Sequence, residues 1–135
     1  MKKEIVSPST VAKPAAPYAT AIRVSGVGNL VFVSGVVSCG LDGRIVHAGD
    51  ILAQTRQVVR NLIATLAAAG AKPEDVVKTT TYVLDSAMQD FFATRAFEEA
   101  LAPFATTDTL VGVASLAGSG QGQLIEIDAI AVAGL

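Results

Sequence analysis

Tryptophan is absent from this chain, and one His, one Cys and two Tyr are spread over its 135 residues. Each shortage removes a class of function. A lone Cys39 leaves no internal disulfide, as in a reducing compartment. Lys2 and Lys3 precede no apolar h-region, so the N-terminus does not read as a signal peptide and the expected location is the cytoplasm. His47 has no Cys or His partner at ligand spacing, so no metal is expected. It also leaves neither Ser34 nor Cys39 an evident base for nucleophilic catalysis. No apolar run approaches the ~20 residues that span a bilayer, so no membrane partner is expected. The net charge is −2, and beyond Lys2-Lys3 the basic residues are scattered. With so few aromatics there is neither a basic stripe nor a stacking platform, and nucleic acid is not an expected partner. The Gly118-Ser119-Gly120-Gln121-Gly122 stretch leads into a strand, whereas a phosphate cradle needs a helix N-terminus.

What is abundant is apolar sequence: 51% of residues are hydrophobic and only 16% charged. A chain of this length makes a single domain, residues 1–135, with one core. So low a charge content predicts apolar surface left over after folding, and burial between subunits is its simplest outlet. The stretch Leu124–Val132 is the most informative. On a β-strand Ile125, Ile127, Ala129 and Ala131 share one face, and Leu124, Glu126, Asp128, Ile130 and Val132 the other. Apolar residues on both faces suit a strand inside a sheet covered on each side. Two carboxylates in such a strand either face water near the rim or sit in a polar cleft, because burying an unpaired carboxylate is costly.

The rest of the chain reads as a ββ(β)αβαββ order. Lys2–Val6 is a strand. Pro17 stiffens the segment that presents Tyr18. Ala21–Val24 and Leu30–Val37 are strands joined by the turn-rich Ser25–Asn29, and Asp42-Gly43 turns into a short strand at Arg44–Val46. Asp50 caps a helix whose apolar residues Ile51, Val58, Leu62 and Leu66 recur at helical spacing before Gly70 stops it. Val76–Leu84 is a strand with three central threonines. Ser86 caps a second helix over Ala87–Leu101, with Phe91, Phe92, Phe97 and Leu101 on its buried face. Thr107–Leu116 and the final strand form a loose hairpin. Two helices cover one sheet face only, so the other requires another cover, most economically a second copy of the chain.

The ordered set Pro17-Tyr18, Leu30–Gly35, Gln54-Thr55-Arg56, Asp75–Val83, Asp90-Phe91 and Ile125–Val132 resembles the Rid family (also called YjgF), the reactive-intermediate deaminases, over nearly the whole chain. That resemblance implies an α+β, chorismate-mutase-like fold, a mixed sheet with two helices on one face. It implies a homotrimer with sheets packed into a central barrel and clefts between subunits. It also implies hydrolysis of small imines or enamines to carbonyl compounds and ammonia, with no cofactor and a small-molecule ligand. Carried over by position, Tyr18 matches the cleft tyrosine. Ser34 and Gly35 match the strand end that contacts substrate, and Glu126 matches the acid that orients water or protonates it.

One position departs from the family. Counting back from Val113-Ala114, the place of the family's carboxylate-binding arginine holds Asp108, followed by Thr109 and Leu110 in the substrate-binding stretch. A unit-charge contact near 4 Å is worth up to about 4 kcal/mol at an effective dielectric of ~20, so reversing it shifts carboxylate affinity by orders of magnitude. The ordinary 2-imino acid is therefore not the expected substrate. Three readings follow. Asp108 and Glu126, on one hairpin, could flank a cleft as an acid–base pair for a neutral or cationic substrate. Arg95, where the family more often has asparagine, could restore a positive charge. Otherwise the cleft binds a ligand without chemistry, or the chain is a structural trimer.

Overall fold

The computed structural model describes residues 2–26 and 28–134. The strands are β1 (Lys2–Val6), β2 (Ala21–Ser25), β3 (Asn29–Val36), β4 (Val76–Leu84), β5 (Thr107–Val113) and β6 (Ile125–Ala133). The helices are α1 (Ile51–Ala68), α2 (Met88–Ala93) and α3 (Ala96–Leu101). A four-stranded mixed sheet runs β3-β6-β4-β5, with β4 and β5 parallel and the other pairs antiparallel. β1 and β2 form a separate antiparallel pair. Lys3 fastens that pair to the body, its Nζ donating to Glu74 O at 2.9 Å and Val76 O at 3.0 Å.

Helix α1 forms where the apolar spacing places it. Asp50 accepts from the Ala53 amide at 3.0 Å as N-cap, and Gly70 follows the helix at φ 78° in the left-handed region that favours glycine. Val58, Leu62 and Leu66 are wholly buried against the sheet face that carries Ile125, Ile127, Ala129 and Ala131. Phe91 and Phe104 close the same core, and Leu101 is buried as well. Each such side chain contributes roughly 1.5–3 kcal/mol by leaving water. The strict alternation along β6 thus resolves as read: one face packed on helices, the other carrying Glu126, Asp128 and Ile130, each half-buried. On that second face Leu30 and Phe32 stand 64% and 72% exposed.

Five expectations are corrected. β5 and β6 are not a hairpin, because β4 lies between them. The helical crossover α2–α3 makes β4 and β5 parallel neighbours, so the glycine-rich return must skip a strand. The second helix is two short ones, broken where Arg95 adopts φ 63°, ψ 23°. No glycine or proline announced that break. Phe92 is 52% exposed rather than in the core. No side chain caps α2, which Asp85–Ala87 enters as a 3₁₀ turn. The Arg44–Val46 strand reduces to an isolated bridge between Cys39 and Ile45. The turn expected over 25–29 includes Val27, which lies outside the described residues.

Candidate functional site

The site grows from an irregularity in β3. Val33 pairs with Ala129 but Val36 pairs with Ile127, so Ser34 and Gly35 together oppose the single residue Asp128. Such a bulge re-aims the strand locally. It brings Gly35 against the neighbouring Glu126 on β6: a Cβ added at Gly35 would lie 2.4 Å from Glu126 Oε2. The absent side chain is what makes room for the carboxylate. Gln123, 1% exposed, reaches the other carboxylate oxygen, with Nε2 at 3.4 Å from Glu126 Oε1.

Two residues that the sequence reading did not single out lie on the same sheet face. Tyr82 pairs with Glu126 in register and donates its hydroxyl to Asp128 Oδ2 at 3.2 Å. The negative charge of Asp128 holds the Tyr82 phenol above its ordinary pKa, with desolvation adding to the effect. Further along, Lys78 Nζ donates to Thr109 Oγ1 at 2.6 Å. Alternation alone placed these side chains together, but only once the strand neighbours were known.

Asp108 is on the other face. Its Oδ1 accepts from Thr79 Oγ1 at 2.7 Å and Thr81 Oγ1 at 2.9 Å, both buried residues of β4. Its Oδ2 is buried with no hydrogen-bond partner among the described residues. Desolvation raises the Asp108 pKa; the two threonine hydroxyls and then Lys78 oppose the rise. Leu110 shares this face, partly buried against the core. Tyr18 is fixed nearby in the chain path, because the adjacent Ala19 amide donates to Thr106 O at 2.8 Å, just before β5. Its ring lies 6.4 Å from that of Phe97.

Glu126, Ser34 and Gly35 are therefore assembled on one side, and Asp108, Leu110 and Tyr18 on the other. The expectation that Asp108 and Glu126 flank one cleft of a single chain is corrected: β4 separates their strands, and they point to opposite faces. Arg95 is exposed in the turn between α2 and α3. It makes no ion pair among the described residues. Beside Gly35 an open groove of about 390 Å³ runs between the end of β3 and α1, lined by Val37, Cys39, Leu41, Asn61 and Thr65 among others. Glu126 does not line it. No group of three or more His, Cys, Asp or Glu is placed to hold a metal among the described residues, and none of their helices is long and apolar enough to cross a membrane.

A mixed sheet backed by helices on one face, with a carboxylate seated over a strand bulge on the other, defines an α+β protein of the Rid type. The family profile described as endoribonuclease L-PSP matches residues 9–133. A RutC family protein of Pyrococcus abyssi is 40% identical over 91 residues, covering 67% of this chain and 68% of that one. A protein of Dermatophagoides farinae named 2-iminobutanoate/2-iminopropanoate deaminase is 30% identical over 138 residues, covering 96% of each. Among solved structures, a Rid-family protein of unknown function from Yersinia pestis superposes with a TM-score of 0.70 at 32% identity, covering 98% of this chain and 99% of that one. The chain belongs to the Rid/YjgF family.

Proposed function

We propose that the protein hydrolyses a small imine or enamine without a cofactor, in a cleft between subunits, on a substrate other than the ordinary 2-imino acid. The carrying observation is the environment of Asp108. A carboxylate fed by two threonine hydroxyls occupies the place where a substrate carboxylate would need a cation. An anionic substrate arriving there meets repulsion rather than a bidentate pair. A neutral or cationic imine does not.

Glu126 supplies the chemistry in this reading. Its carboxyl either protonates the enamine carbon or imine nitrogen, or directs water at the resulting carbon. Water adds to C=N, the C–N bond breaks, and ammonia leaves as the carbonyl forms. Tyr18, Ser34, Gly35, Thr109 and Leu110 shape the pocket. Because the Glu126 and Asp108 groups lie on opposite faces of one chain, a shared cleft requires neighbouring protomers to contribute one group each. The exposed Leu30 and Phe32 on the Glu126 face support a homotrimer built that way.

The kinship with a named imine deaminase supports the reaction class. The endoribonuclease name of the family profile fits these residues less well, since net charge is −2 and the single histidine is a loop residue. The test generates imines in situ with an amino-acid oxidase (carboxylated) or an amine oxidase (uncharged) and traps them with semicarbazide. Wild type should hasten loss of the uncharged imine, and Glu126→Ala should not. Asp108→Arg should turn the preference towards the imino acid. Saturable binding of imine analogues with no turnover by any form would instead make the chain a binding protein.

A further inference from the structure

The geometry points to Gln123 as the residue that positions Glu126, a role that rests on reading Glu126 as the acid of the site. Gln123 is the last residue but one before β6, and its side chain is 1% exposed. A buried primary amide must satisfy two donor hydrogens and an acceptor oxygen. Here each has a partner. Oε1 accepts from the Gly118 amide at 2.7 Å; Nε2 donates to Ile125 O at 3.2 Å and to Glu126 Oε1 at 3.4 Å. The opposite amide orientation would set Oε1 against a carbonyl and a carboxylate, so the network fixes which atom faces Glu126.

Two glycines make this arrangement possible. A Cβ at Gly118 would fall 2.6 Å from Gln123 Oε1, as a Cβ at Gly35 would fall 2.4 Å from Glu126 Oε2. The carboxylate therefore has a donor on one oxygen and a side-chain-free backbone beside the other. Behind Gln123 the loop itself is braced. Buried Gln54 on α1 donates to Gly122 O at 2.7 Å and to His47 O at 3.0 Å, and accepts from the Leu124 amide at 2.8 Å. The glycine-rich stretch is thus a rigid bracket that presents an amide to Glu126. The contact to Glu126 is the longest in the set, which is where a carboxylate free to exchange a proton with substrate would be held loosely rather than locked.

The discriminating variants are Gln123→Met, which removes donors and acceptor at similar length, and Gln123→Glu. The second keeps an acceptor for the Gly118 amide but replaces the donor facing Glu126 by a carboxylate oxygen. In the imine assay both should lose about tenfold to hundredfold in kcat, as for a displaced catalytic group, with KM changed less than about threefold. The melting temperature of the Glu variant should fall, because a buried carboxyl oxygen then faces the Ile125 carbonyl and the Glu126 carboxylate, so kcat and KM are read at a temperature where circular dichroism shows the variants folded. If Gln123→Glu keeps wild-type kcat, Gln123 only anchors the loop and the proposal is overturned.

A second arm does not depend on turnover. In protein labelled with ¹⁵N at glutamine side chains, Glu126→Ala should shift and deprotect one Gln123 Nε2 proton while the proton bonded to Ile125 O stays protected. Two unchanged Nε2 signals overturn the contact, even where a Gln123 variant does not fold. Should wild type hydrolyse no imine while the first Nε2 result holds, the deaminase reading fails and Gln123 still positions Glu126.

Discussion

Replacing Gly35 by alanine should separate activity from stability at a single methyl group. The added Cβ would sit 2.4 Å from Glu126 Oε2, 2.6 Å from its Cδ and 2.9 Å from its Cγ, where ordinary contact begins at 3.4 Å. The carboxylate must therefore retreat by about 1 Å. It can do so cheaply, because it ends a flexible side chain on the half-buried face. Turning Glu126 off its preferred rotamer costs about 0.5–1.5 kcal/mol. Exchanging glycine for alanine returns about 0.4–1 kcal/mol by narrowing the unfolded ensemble where the backbone tolerates alanine, and Gly35 is not among the residues of positive φ. The net change in unfolding free energy is thus within about 1 kcal/mol of zero. A displacement of about 1 Å in a reacting group, by contrast, can cost roughly a hundredfold in rate. Urea unfolding and imine hydrolysis on the same preparation measure both. A variant that unfolds several kcal/mol more easily, or one that keeps full kcat while a crystal structure shows Glu126 displaced, would refute the reasoning.

The remaining predictions rest on other parts of the molecule. Burial raises the Asp108 pKa above its ordinary value of 3.8, so the folded state holds a proton that the unfolded chain has released. The associated stability is fully present below that value and is lost as pH rises through the folded pKa. The stability of wild type relative to Asp108→Asn should therefore fall as pH rises from about 3.8 through the raised folded-state pKa, and a rising difference in urea midpoints would contradict it. Phe32→Asp places a charge on a side chain that is 72% exposed in one chain; light scattering should report a trimer for wild type and a monomer for the variant, and a monomeric wild type defeats the assembly. Gln54→Leu strands the Leu124 amide, while the His47 and Gly122 carbonyls lose one donor each but keep the Asp50 and Gly49 amides. At about 1–3 kcal/mol for the one buried group left unpaired, the melting temperature should drop by roughly 5 °C, and an unchanged value would show that water replaces the amide.

The local signals in this sequence were reliable where one element decided the outcome by itself. Asp50 and Gly70 bound α1 because a cap and a left-handed stop are chemical choices of single residues. The period of two in β6 sorted Ile125, Ile127, Ala129 and Ala131 onto the buried face because one face had to meet the helices. What failed was neighbourhood. Thr107–Val113 and Ile125–Ala133 are consecutive strands with a glycine-rich link, and sequence proximity favoured a hairpin. The parallel pairing of β4 with β5, made possible by the α2–α3 crossover, put β4 between them instead.

That single change governs the site. Had β5 and β6 been adjacent, Asp108 and Glu126 would have been candidates for one carboxylate pair. With β4 between them, Asp108 turns to Thr79 and Thr81 on the helix side, and Glu126 to Gly35 and Gln123 on the open side. The proposed charge reversal at Asp108 rests on residue type and on the resemblance, and neither needs coordinates. The role of Gln123 needs them. A glutamine beside a glycine-rich stretch reads as a polar loop residue until burial shows that every one of its hydrogen-bonding groups is spent, one of them on the carboxylate. In this fold, the residues that set the charge of the site are visible in the sequence, and those that set its geometry become visible only with the strand order.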